Sequence, residues 1–148
     1  MSLINTFEAS LLKLIFQNIG LADVGDATGL VPSTGAGNIY VSLHTVDPGD
    51  AAAAQDDDEA TYTGYARQTA VRSASGWTVA GTAPTVCDNA AEINMGENTG
   101  SSQTVTDFGL GFAVSGTTTM YMKGTADLVV GVAVNPQFAI GALDVSLD

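Results

Sequence analysis

A chain of 148 residues with four Lys+Arg, sixteen Asp+Glu and a formal net charge of −12 is a poor partner for nucleic acid or an anionic membrane. Both are bound by cations that displace counterions or pair with headgroup charge. The single cysteine, Cys87, excludes an intrachain disulfide framework and cannot build a zinc site alone. As a buried thiol it fits assembly in a reducing cytoplasm.

This length allows roughly 68–70% of the unfolded surface to be buried, so residues 1–148 are expected to form one domain with a real core. Only 14% of residues are charged, which suggests that some apolar surface meets other chains. No run is long enough to span a membrane. The apolar start does not read as a signal peptide, because Glu8 and Lys13 interrupt it and no small-residue cleavage site follows Ile19.

Residues 5–19 predict an amphipathic helix. Asn5 or Thr6 can cap it, Glu8 lies three residues after Asn5 as in a capping box, and Gly20 stands where a C′ glycine is expected. Ile4, Phe7, Leu11, Leu14 and Ile15 make one apolar stripe, with Leu12, Phe16 and Ile19 beside it. Together they cover an arc of roughly 220°, wider than one face of a surface helix. Two explanations stand: a helix sunk between a sheet and a loop, or one shared with a neighbouring subunit. Residues 20–37 read as a connector loop; Asp23 and Asp26 lack EF-hand spacing, so a solvated loop is expected there.

The period-two run of residues 38–48 predicts a half-buried strand, with Ile39, Val41 and Leu43 on one face and Tyr40, Ser42 and His44 on the other. Asp47, Pro48 and Gly49 stop it. Residues 50–60 are a low-complexity acidic stretch with four consecutive carboxylates, expected to be a mobile, exposed loop. Beyond it the pattern is all-β, with strands expected over 61–71, 76–80, 85–95, 104–114, 118–123, 126–134 and 137–147. Turns are expected at 96–102, Ser115-Gly116, Lys123-Gly124 and Asn135-Pro136. Glycines inside these strands (Gly64, Gly109, Gly111, Gly131, Gly141) suit bulges and close sheet contacts. The fold class is mainly β: a β-sandwich or jelly-roll-like domain over 38–148 with one N-terminal amphipathic α-helix.

Motifs that carry chemistry are scarce. His44 is the only histidine, which excludes metal sites built on histidine pairs. With Asp47 it makes a weak candidate general base, and a satisfied structural histidine fits better. A Ser-His-Asp arrangement stays open, although no Gly-x-Ser-x-Gly elbow exists. Neither lysine follows a phosphate loop, and Gly35-x-Gly37 and Gly109-x-Gly111 lack the setting of a dinucleotide site. The acid pairs Asp56/Asp58 and Asp144/Asp148 lack the aromatic-lined cleft that glycoside hydrolysis wants, and Trp77 reads as core. No catalytic residue, cofactor or metal ligand is therefore assigned. Arg67 and Arg72, on or beside one strand in so acidic a chain, call for carboxylate partners within the chain or on a neighbour.

With these residues laid out, the chain resembles the small structural proteins of tailed-bacteriophage virions, labelled tail fibre or minor tail proteins or capsid decoration (cement) proteins. The resemblance runs from the amphipathic start through Ile39-Tyr40-Val41-Ser42-Leu43-His44-Thr45-Val46-Asp47-Pro48-Gly49, Tyr62-Thr63-Gly64-Tyr65-Ala66-Arg67 and Ser75-Gly76-Trp77. It continues with Val105-Thr106-Asp107-Phe108-Gly109 and closes at Phe138-Ala139-Ile140-Gly141-Ala142-Leu143. It implies a virion component made in the host cytoplasm. The chain has neither heptads nor repeats for a fibre shaft, so capsid decoration is the first expectation. That role means a non-enzymatic protein on the capsid surface, bound to the major capsid protein and to its own copies as trimer or dimer. A tail, baseplate or fibre-associated role is the alternative, and a hydrolase built on His44 the remote one. The expected interface residues are Ile4, Phe7, Leu11, Leu12, Ile15, Phe16, Ile19, Arg67 and Arg72.

Overall fold

The computed structural model describes residues 3–51, 54–80 and 84–147. It is mainly β with one N-terminal helix: α1 (Asn5–Gln17), β1 (Asn38–His44), β2 (Gln68–Val71), β3 (Trp77–Ala80), β4 (Thr85–Asn89), β5 (Ile93–Asn94), β6 (Gln103–Gly111), β7 (Met120–Val130), β8 (Gln137–Phe138) and β9 (Asp144–Leu147). The chain divides into two compact units, each assembled from separated segments.

The first unit comprises residues 1–38, 70–92 and 138–148. Its sheet has the order β3-β4-β9 and is antiparallel throughout. The helix covers it by burying Leu12 and Phe16, and the Phe16 ring tilts against Trp77 at 4.7 Å between centroids. The buried line is therefore Glu8-Leu12-Phe16, one step round from the expected stripe. Glu8 is not part of a capping box. Its Oε2 accepts a 2.9 Å hydrogen bond from the Thr85 hydroxyl inside the unit, so the carboxylate is buried and satisfied. Ile4 occupies the N-cap with no side-chain cap bond. The helix ends earlier than expected, at Asn18 in the left-handed conformation (φ 56°) rather than at Gly20. Asparagine tolerates this geometry, and its side chain also ties down Ser33.

One long strand over 137–147 does not form. Asn89 at the end of β4 donates to the Ala139 carbonyl at 2.8 Å and accepts from the Ala142 and Leu143 N–H groups at 3.0 and 2.9 Å. Three backbone groups that would otherwise ladder are held in a turn, so β8 and β9 are separate strands. The expected strand over 85–95 is likewise interrupted, with Asn89 also donating to the Ala91 carbonyl.

The second unit comprises residues 39–69 and 93–137. Its sheet has the order β2-β1-β6-β7, β2 contributing Gln68 and Thr69. Residues 61–67 do not extend β2: Gly64 (φ 104°) sits in a turn so close to the Glu97 carbonyl that a Cβ would meet it at 2.1 Å. β7 runs unbroken where two strands with a turn at Lys123-Gly124 were expected. Gly124 faces Phe108 across the ladder, and a Cβ there would meet the phenyl ring at 2.6 Å. The glycine makes room for an aromatic ring and does not end the strand. β1 is not half-buried either, since Val41, Ser42, Leu43 and His44 are all buried. One face holds apolar residues and the other holds polar ones.

Candidate functional site

The polar face of β1 is where any chemistry would lie. Ser42 Oγ and His44 Nε2 are 2.8 Å apart, and His44 Nδ1 lies 2.8 Å from the Asp57 carbonyl oxygen. A carbonyl only accepts, so Nδ1 carries the proton and donates. The third member of this triad-like row is thus a backbone carbonyl and not the carboxylate of Asp47, which instead pairs with Lys123 at 2.6 Å. Ser42 and His44 are both 0% exposed. A Cβ on Gly109 would meet Met120 Sδ, His44 Nε2 and Ser42 Oγ at 2.2, 2.7 and 2.8 Å. No substrate reaches a hydroxyl packed that closely, and the row acts as internal hydrogen bonding.

The segment 54–60 closes over this row. The expected mobile acidic loop is, across Ala54–Ala60, anchored at both ends; Ala52 and Ala53 lie outside the described residues. The Gln55 N–H donates to the Thr118 carbonyl at 2.7 Å, and the Ala60 N–H to the Leu43 carbonyl at 2.8 Å. Gln55 is fully buried, donating to the Tyr40 carbonyl at 2.8 Å and packing where a Cβ on Gly111 would stand. Glu59 takes a bidentate bond from Arg67, Nε to Oε1 and Nη2 to Oε2, both 2.8 Å. It also accepts from the Tyr65 hydroxyl at 2.7 Å. Arg67 donates further to Gln55 Oε1 and to the Ala113 and Gly116 carbonyls. Burial first, and then the neighbouring Glu59, push the Tyr65 phenol far above its ordinary range. Asp56, Asp57 and Asp58 point outward and are exposed.

Arg72, expected to need a carboxylate, meets backbone. It donates to the Ile15 carbonyl at 2.6 Å and the Leu14 carbonyl at 2.8 Å, and to the Ala36 carbonyl at 3.2 Å. The Leu14 and Ile15 carbonyls belong to the last turn of the helix and lack a helical partner, at the negative end of the dipole, where a guanidinium is favoured. Of the other expected interface residues, Leu12 and Phe16 are interior, Phe7, Leu11 and Ile15 are half-buried, and Ile4 and Ile19 are exposed. Cys87 is fully buried, and burial pushes its thiol up to about 12. Asp26 closes a local turn with Thr28, and Asp148 of the Asp144/Asp148 pair lies outside the described residues. Among the described residues no group of three or more His, Cys, Asp or Glu is arranged to hold a metal. Among the described residues, no helix is long and apolar enough to cross a membrane.

One surface feature had no counterpart in the sequence reading. A cleft of about 610 Å³ is lined, among the described residues, by Gly49, Asp50, Ala54 and residues 117–123. Tyr121 at its wall is the extra residue of a bulge: Leu110 pairs with Met122 and Gly111 with Met120, leaving Tyr121 without an opposite number. The bulge turns the ring outward against Phe112, edge to face at 4.8 Å. A tyrosine in a threonine- and methionine-rich run carries no signal of this by itself.

The family is given by comparison: the model of the podophage GP4 fiber I protein gp80 family matches residues 24–146, and the chain belongs to that family. The match begins after α1, so the helix, which the resemblance included, lies outside it. No curated protein matches the chain.

Proposed function

We propose that this protein is a fibre-associated structural component of the podophage virion that works by assembly and not by catalysis. The observation that carries the proposal is membership of a fibre protein family over residues 24–146. It favours the tail, baseplate or fibre alternative over capsid decoration and attachment to the major capsid protein. The geometry agrees, because the only histidine and its serine are sealed beneath the 54–60 segment. Copies of the chain associate as trimers or dimers and dock on neighbouring virion proteins. The exposed Ile4 and Ile19 support such contacts, through apolar burial worth roughly 25 cal/mol per Å².

Copy number per particle tests the placement. Purified virions are digested and this chain is quantified by mass spectrometry against the major capsid protein, using labelled reference peptides. A fibre component is expected far below the capsid protein in number. A count comparable with the capsid protein overturns the fibre placement and restores the decorating one.

A further inference from the structure

We propose that the apolar stretch closing β7 docks into an apolar, cation-rimmed pocket on a different protein of the virion. The proposal rests on the reading of this chain as a virion component, and adds the surface used and the chemistry of the partner. Leu128 to Val134 is the longest run in the chain without a polar side chain. Val129, Val132 and Val134 are 64%, 62% and 39% exposed, and Ala133 is exposed with them. Single exposed apolar residues are ordinary, whereas a run of them marks a contact surface.

The turn that presents this run is firmly held. The Val134 N–H donates to the Gly131 carbonyl at 3.2 Å, the Ala133 N–H to the Asn98 carbonyl at 2.7 Å, and the Asn98 N–H to the Val134 carbonyl at 2.9 Å. The buried Asn98 side chain donates to the Val130 and Ser101 carbonyls at 3.0 and 2.9 Å. Ala133, third in the turn, has a left-handed backbone (φ 60°), where glycine or asparagine is the usual occupant. Such strain persists only where surrounding bonds over-determine it, and it gathers at functional segments. A rigid apolar tip also gives up little freedom on docking.

β7 lies at the edge of its sheet, so a second copy could in principle add a strand there. Two features bar it. Ala126 and Asp127 both stand against Thr106, with Asp127 at φ 42°, and this bulge leaves only Leu128–Val130 as regular edge before the turn. A bulge carrying a charge is how natural sheets block edge-to-edge pairing. Charge adds the second bar. Asp127 borders the run and Glu97 precedes the Asn98 that holds it, and both are exposed. The cations of this unit are engaged, Arg67 by Glu59 and Lys123 by Asp47 and Asp50. Two copies meeting here would oppose like charges with nothing to neutralise them. The partner that fits has an apolar centre and Lys or Arg at its rim, and self-association falls to other surfaces.

A benzophenone-bearing amino acid is placed at Val132 in phage particles, which are purified and irradiated, and the cross-linked peptides are identified by mass spectrometry. The expected product joins this position to a different virion polypeptide, at an apolar segment that contains Lys or Arg. Asp127→Asn keeps a residue that tolerates the left-handed backbone and should lower the cross-link yield about threefold. Val132→Asp should lower the copies retained per particle by about tenfold or more. Both side chains are exposed, so the variants should melt with the parent. A cross-link to a second copy, no cross-link, an unchanged yield in Asp127→Asn, or full retention of Val132→Asp overturns the proposal. No cross-link together with a low copy number per particle removes this docking face and leaves the fibre reading standing. A cross-link into a basic, apolar segment of the major capsid protein keeps the face and overturns the fibre placement.

Discussion

In the unit built on β3, β4 and β9, the sheet is covered by a helix that brings Leu12 and Phe16 down onto Trp77. In the unit built on β1, β6 and β7, part of the cover is an irregular acidic segment, and it arrives with Gln55, Glu59 and the Asp57 carbonyl. The helix satisfies most of its own backbone, leaving a last turn for Arg72 and one buried carboxylate, Glu8, for Thr85. The loop has no ladder of its own, so its polar groups must be met by side chains rising from the sheet. That is why Ser42, His44 and Arg67 are buried in one unit while the other manages with few polar groups inside. The two arginines follow the same division. Arg67 neutralises a carboxylate at the centre of a network, whereas Arg72 caps the open end of a helix.

This contrast is sharpest at Arg67. Arg67→Ala leaves Glu59 without its guanidinium and opens the hydrogen bonds of Gln55 and of the Ala113 and Gly116 carbonyls. Removing one partner of a buried pair costs about 3–5 kcal/mol, to be read by urea unfolding. Proteolysis within 54–60 should accelerate in step. A loss under about 1 kcal/mol would mean that the pair acts as a surface bridge and that the loop is held by its backbone bonds alone. Arg72→Ala should cost less, about 1.5–3 kcal/mol for charged hydrogen bonds to backbone. It should lower helical ellipticity while leaving cleavage within 54–60 unchanged. If both variants expose the loop equally, the division between the units is not energetic.

Much of the backbone was legible in the sequence, and most of the site was not. Period two along β1 gave the strand, but alternation reports which residues share a face, not whether the second face is covered. The cover comes from a segment whose composition reads as solvated. Its fate was decided by Gly109 and Gly111 on β6, which leave space for His44, Ser42 and Gln55. Those glycines were recognised as marking a close contact, without any indication of what approaches. Gly124 was misread as a break because the partner that needs its space, Phe108, sits on another strand. The expectation of a capping box at Glu8 failed similarly: Thr85, eighty residues from the helix start, offers the carboxylate a partner that local spacing cannot reveal. Tyr121 is aimed by an unequal count of residues on two paired strands, which appears only once the register is known.

The smallest expected effect lies in the helix-covered unit, where one polar contact works against the fold. Asp88 and Asp144 stand directly opposite each other on β4 and β9. Burial, then the shared hydrogen bond and charge of Asp144, raise the Asp88 carboxyl above its ordinary value. A raised carboxylate binds more protons folded than unfolded, so stability falls as pH rises from the ordinary aspartate value, about 3.9, through the folded one. Above that window the like charges cost roughly 0.2–1 kcal/mol, as for opposed charges on neighbouring strands. Asp88→Asn should therefore stabilise the protein by that amount at neutral pH, and the gain should vanish when urea unfolding is repeated below pH ~3.9. A gain that persists in acid would mean that the amide makes a new hydrogen bond and that repulsion was never the cost. A loss at neutral pH would mean that this face of the sheet, unlike the sealed face of β1, uses its charge.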